Sequence, residues 1–80
     1  MVVFVATFED GDWPKVVGLH ASETKAREQV IVLMAAANVA NAPVFPDDAS
    51  MYFDNVVWSA SFEKGDDWVF GMVQSFVVED

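Results

Sequence analysis

Apolar and polar residues change rhythm along the chain, and each change marks an element. Residues 2–8, VVFVATF, are apolar on both parities and read as a strand with both faces at least partly covered. Glu9-Asp10-Gly11-Asp12 breaks that run with turn chemistry, because glycine supplies positive φ and aspartate bonds its own backbone. Trp13-Pro14 enforces an extended entry, since the residue before proline is pushed out of the α region, and residues 15–20 return as a second strand. From Ser22 the period lengthens to that of one amphipathic helix over 22–41. Ser22 is the N-cap, Glu23 sits in the first turn where the helix dipole favours it, and Glu23 and Arg27 form an i,i+4 pair. Ala26, Val30, Leu33, Ala37 and Ala40 make the inward stripe with Met34 beside it, and Asn41 and Pro43 supply the stop. The face through Lys25 and Gln29 turns apolar after the second turn and continues as Val32, Ala36 and Val39. That surface calls for a cover, from the rest of the fold or from a partner.

Residues 42–55 carry Pro43, Pro46 and Asp47-Asp48 and read as loop, with a short helical turn over 48–53. Residues 56–62 alternate as a strand, Val56, Trp58, Ala60 and Phe62 facing one way and Val57, Ser59 and Ser61 the other. A second acidic glycine turn at 63–67 leads to a last strand over 68–78, where Gly71 allows a bulge or a close contact. The two turns echo each other: Phe8-Glu9-Asp10-Gly11-Asp12-Trp13 against Phe62-Glu63-Lys64-Gly65-Asp66-Asp67-Trp68, with Gly18 and Gly71 following. The predicted fold is therefore α+β, an antiparallel sheet of two hairpins in ββαββ order with one long helix packed on one face.

Length makes this one domain, residues 1–80, because a second core would have nothing left to bury. A hydrophobic content of 54% is that of a folding chain. A chain this short buries only roughly 60% of its unfolded surface, so some of that apolar content is left for a partner, a homodimer being the simplest. Thirteen acidic residues against four basic ones leave a formal charge of −9. Phosphate backbones and anionic lipid repel such a chain, which argues against direct nucleic-acid or membrane binding and for a basic protein partner. The absence of cysteine excludes disulfides, thiolate catalysis and cysteine-ligated zinc, and favours an intracellular setting. Residues 1–5 lack the positive flank of a signal peptide, and the longest apolar run is broken by Asn38, Asn41 and Pro43 before it could span a bilayer. A soluble, cytoplasmic protein is expected.

At Gly18-Leu19-His20-Ala21-Ser22-Glu23-Thr24-Lys25-Ala26 the chain resembles the strand-to-helix junction of small uncharacterised ββα-type domains of bacterial and phage genomes. Trp68, Gly71 and Met72 are similar to the last strand of those domains, while His20 stands where an aromatic is usual. The resemblance covers about half the chain and implies fold, with no catalytic residues to carry over. Size and acidity also look like phage-encoded proteins that block a host machine.

Catalytic chemistry is sparse. His20 is the one imidazole, and no nucleophile elbow accompanies it. Asp10-Gly11-Asp12 and Asp66-Asp67 offer hard oxygen ligands without the alternating acids of a twelve-residue calcium loop, so no metal and no cofactor is expected. No enzyme activity is expected either. The expected function is a protein-binding module. Its interaction candidates are Val32, Ala36 and Val39 on the helix with Trp13 and Trp68 beside the turns. Its acidic candidates are Glu9, Asp10, Asp12, Asp47, Asp48, Glu63, Asp66 and Asp67. In its most concrete form this is a phage-type inhibitor, a DNA mimic occupying a basic nucleic-acid-binding surface of a host protein. The alternative is a structural or assembly protein that dimerises through the apolar helix face.

Overall fold

The computed structural model describes residues 1–46 and 48–79. It is α+β, as the patterning predicts. Among the described residues, one helix, α1 (Glu23–Ala37), and five strands form the fold: β1 (Val2–Asp10), β2 (Lys15–His20), β3 (Phe45–Pro46), β4 (Val56–Lys64) and β5 (Asp67–Val77). The strands make one antiparallel sheet in the order β2-β1-β5-β4-β3. The predicted ββαββ order therefore gains a strand, because the chain leaving the helix pairs Phe45 with Ser61 and Pro46 with Ala60 at the free edge of β4. A 3-10 turn at Ala49–Met51 follows, inside the span read as a short helical turn.

β1 and β4 are longer than their apolar runs. β1 continues through Glu9 and Asp10, which pair with Phe70 and Val69 of β5. β4 and β5 run up to Lys64 and Asp67, joined by the two-residue loop Gly65-Asp66. Gly65 has φ 62 and Asp66 does not share the positive φ, the type II′ pattern that matches strand twist.

The helix starts where the sequence places it. Ser22 is extended (φ −127, ψ 133) and its Oγ accepts the Lys25 N–H at 3.4 Å. It ends earlier than the predicted Asn41. The Asn38 side chain takes both backbone groups of Ala42, Oδ1 accepting from its N–H at 2.8 Å and Nδ2 donating to its carbonyl at 2.9 Å. Asn41 then turns the chain at φ 53, so Asn38 and not Asn41-Pro43 makes the stop.

The buried helix stripe is Ala26, Val30 and Met34, with Ala37 half-buried. Leu33 is only half-buried and Ala40, beyond the helix, is exposed, so neither belongs to the stripe as predicted. Gln29 also leaves the polar outer face assigned to it. Its Nε2 donates to the Val17 carbonyl at 2.7 Å and its Oε1 meets His20 Nε2 at 2.6 Å, so that nitrogen of His20 carries the proton.

The helix lies over β1 and β5 and reaches β2, packing on Phe4, Ala6, Phe8, Val69 and Val73. Two glycines allow the approach. A Cβ at Gly71 would fall inside contact distance of Val30 Cγ1 and 3.0 Å from Met34 Sδ, and one at Gly18 would strike Gln29 Oε1 and lie 2.8 Å from His20 Nε2. Gly71 therefore serves a close contact and not a bulge; the β4–β5 irregularity lies between Val56 and Trp58.

The opposite side of the sheet is half covered. Ala49 is buried, Phe53 stacks on Phe70 with centroids 6.1 Å apart, and Gln74 Nε2 donates to the Asp54 carbonyl at 2.8 Å. This segment shields β4 and β5. Ser59 and Ser61, predicted to face away from the core side of β4, are buried beneath it, so the face of β4 away from the helix is covered too.

The Gly18 contact carries a prediction. Gly18→Ala is expected to push the Gln29 amide off Val17 and His20, leaving a part-buried carbonyl unpaired at a loss of roughly 1–3 kcal/mol. Urea denaturation of Gly18→Ala beside Gln29→Ala checks it. Full stability in the glycine variant, with Gln29→Ala destabilised, would show that the amide finds another seat.

Candidate functional site

The β1–β5 register brings the two acidic turns together. β1 ends at Asp10 and β5 begins at Asp67, and the strands are antiparallel neighbours, so both hairpin tips emerge at one end of the sheet. Their proximity is direct: a Cβ on Gly11 would lie 3.5 Å from Asp67 Oδ2. Lys64 Nζ reaches across to Asp10 at 3.1 Å, and Lys15 Nζ lies 3.9 Å from Asp12 Oδ2. These pairs are exposed and contribute little stability. Glu9, Glu63, Asp66 and Asp67 keep the end acidic. The helix adds to it, because α1 runs toward the same end with no cation in its last turn, leaving its partial negative charge uncompensated. Val39 and Ala40 line a depression there with Glu63, Lys64 and Gly65.

The predicted interaction residues distribute around this end. Trp13 and Trp68 are both exposed, on opposite sides of the sheet. Trp13 shares a groove with Phe8, Lys15 and Val17 on the helix side, whereas Trp68 lies in register opposite Glu63 on the other side. Val32 (67% exposed) and Ala36 are exposed on α1, whereas Val39 (86% exposed) lies in the turn past the helix end at Ala37 and not on the helix as predicted. Asp48 is elsewhere: it lies by Val56, Trp58 and Ser59 at the β4 edge. Asp47 falls outside the described residues.

Sequence reading missed one feature. Beside the second half of the helix runs a groove of about 250 Å³, between Ile31, Met34 and Ala35 on one wall and Asn41 and Val44 on the other, with Trp58 and Ala60 as its floor. It exists because α1 sits over β1 and β5 and leaves β4 uncovered on that side. At its head Arg27, ion-paired with Glu23, holds its guanidinium carbon 6.0 Å from the centre of the Trp58 ring. Only the wide spacing of Trp58 from the helix in sequence hid it.

His20 is committed to Gln29, within the helix-to-sheet contact. Among the described residues no three His, Asp or Glu side chains converge as a cation site. No helix among them is long and apolar enough to cross a membrane. In comparison with known proteins, the chain matches no family model, no curated protein and no solved structure.

Proposed function

We propose that the protein is a non-enzymatic protein-binding module that engages a basic partner through its acidic hairpin end. The observation that carries this reading is the side-by-side placement of the two tips, with Gly11 against the Asp67 carboxylate. Neither tip alone presents more than a few charges. Together they present six carboxylates, Glu9, Asp10, Asp12, Glu63, Asp66 and Asp67, against Lys15 and Lys64. The exposed indoles of Trp13 and Trp68 flank that charge with the residue type that most often anchors interfaces. In the sharper form of this proposal the partner surface is a nucleic-acid-binding groove of a host protein, and the chain is a phage-type inhibitor acting in the host cytoplasm as a DNA mimic.

Asp66→Lys with Asp67→Lys tests it, since both side chains are exposed. Capture of partners from a bacterial lysate on the immobilised protein, followed by titration, is expected to weaken roughly tenfold or more in this variant and to fall steeply with added salt. Equal retention of the same partner at low and high salt by both proteins would sink the proposal.

A second reading, a structural subunit pairing through the outer helix face, is favoured by the exposure of Val32 and Ala36 on α1, with Val39 exposed just past its end.

A further inference from the structure

One edge of the sheet is β2, and its side chains follow an unusual order. Lys15 and His20 pair with Phe8 and Phe4 and lie on the helix side, while Val16 and Leu19 pair with Thr7 and Val5 and lie on the opposite side. Between them the register shifts by one residue, so Val17 and Gly18 both face the helix, Val17 against the core and Gly18 under Gln29. The Gln29 amide pins this bulge through the Val17 carbonyl. Read from Lys15 to His20, the faces run helix, open, helix, helix, open, helix. The order is the same from either end. A regular six-residue strand alternates, and reads oppositely from its two ends.

We propose that β2 pairs antiparallel with β2 of a second copy, about a two-fold axis between Val17 and Gly18, giving one continuous ten-stranded sheet. In that register every side chain meets one on its own face. Val16 lies opposite Leu19 of the second copy, and Leu19 opposite its Val16. These four large apolar side chains, 64% and 67% exposed in the isolated chain, then cover one another.

Three observations commit the edge to a copy of itself. Within its length the edge has no carboxylate and no proline; its only protective features are one lysine at its first position and the bulge itself, whose symmetric order of faces a second copy matches. The chain also exposes 5319 Å² where a folded monomer of 8.8 kDa exposes roughly 4,800 Å². That surplus is a large part of the ~800 Å² each subunit gives to a standard interface. Finally, the antiparallel arrangement points the two acidic ends in opposite directions, so two chains of charge −9 associate without opposing their carboxylate clusters. The helix does not obstruct it, because α1 lies chiefly over β1 and β5. This proposal is independent of the acidic-end reading.

The test is sedimentation equilibrium of the wild type, Leu19→Lys and Val32→Lys, with circular dichroism of each. The wild type is expected at twice 8.8 kDa, Leu19→Lys at half the wild-type mass with an unchanged spectrum, and Val32→Lys at the wild-type mass. Asp66→Lys with Asp67→Lys is also expected to keep the dimer mass, which separates this surface from the acidic end. A second variant needs no loss of association. Val16→Cys with Leu19→Cys, in a chain without cysteine, is expected to form a covalent dimer on oxidation. Within one copy those Cα atoms are roughly 9–10 Å apart, beyond disulfide reach. A monomeric wild type, a dimer lost in Val32→Lys but kept in Leu19→Lys, or a folded double-cysteine variant that stays monomeric on oxidation would overturn the proposal.

Discussion

Phe62→Ala is expected to lower the stability of the protein by about 3–5 kcal/mol, the usual loss for a fully buried aromatic side chain. Phe62 is 1% exposed, lies on the helix side of β4 and is directly opposite Val69, another fully buried residue. It fills the corner where the helix C-terminus passes over the sheet, beside Ala37 and Asn38. The consequences are large because the domain is small. Eighty residues at roughly 0.05–0.15 kcal/mol each give a total near 4–12 kcal/mol, so this substitution takes a large share of it. Urea unfolding followed by circular dichroism measures it, with a midpoint shift at constant slope expected. A loss below roughly 1 kcal/mol would mean that α1 does not close over β4 at this corner.

Gly71→Ala is expected to act in the opposite way, by overfilling. The added methyl meets Val30 Cγ1 and Met34 Sδ from below. Val30 is fully buried and β-branched, so it has no spare rotamer to retreat into. The helix must lift, at the upper end of the ~1–3 kcal/mol typical of overpacking, which at this size lowers the melting temperature by roughly 4–8 °C per kcal/mol. A double-mutant cycle isolates the cause. Val30→Ala alone opens a cavity and destabilises; placed on Gly71→Ala, it removes the group the methyl strikes, and the double variant is expected to be more stable than the sum of the two losses. Strict additivity would show that the helix does not rest on Gly71.

These two positions also mark how far the sequence could be read. Phe62 was legible: it falls on the inward parity of a strand pattern, as Ala60 and Trp58 do. The N-cap at Ser22, the strand at 15–20 and the α+β class were legible for the same reason, since each depends on residues a few positions apart. The helix end was not, because Asn38 stops it through a side-chain contact with Ala42 that no periodicity records. Burial of Ser59 and Ser61 was hidden too; it comes from a segment folded back across the second face of the sheet, held by Phe53 on Phe70.

The echo between the two hairpins shows the division most clearly. Local chemistry determined that each would have an acidic glycine turn, a tryptophan beside it and a glycine further on, because turns need positive φ and short polar side chains. Two things depended on which strands became neighbours, and the tertiary structure alone decided them. Pairing β1 with β5 set Gly11 beside Asp67 and made one acidic end of two separate turns. Laying α1 across the sheet gave Gly18 and Gly71 the same purpose, clearing the path of the helix. A sequence read along its length reports what is near in the chain, whereas charge density and close packing are sums over what is near in space.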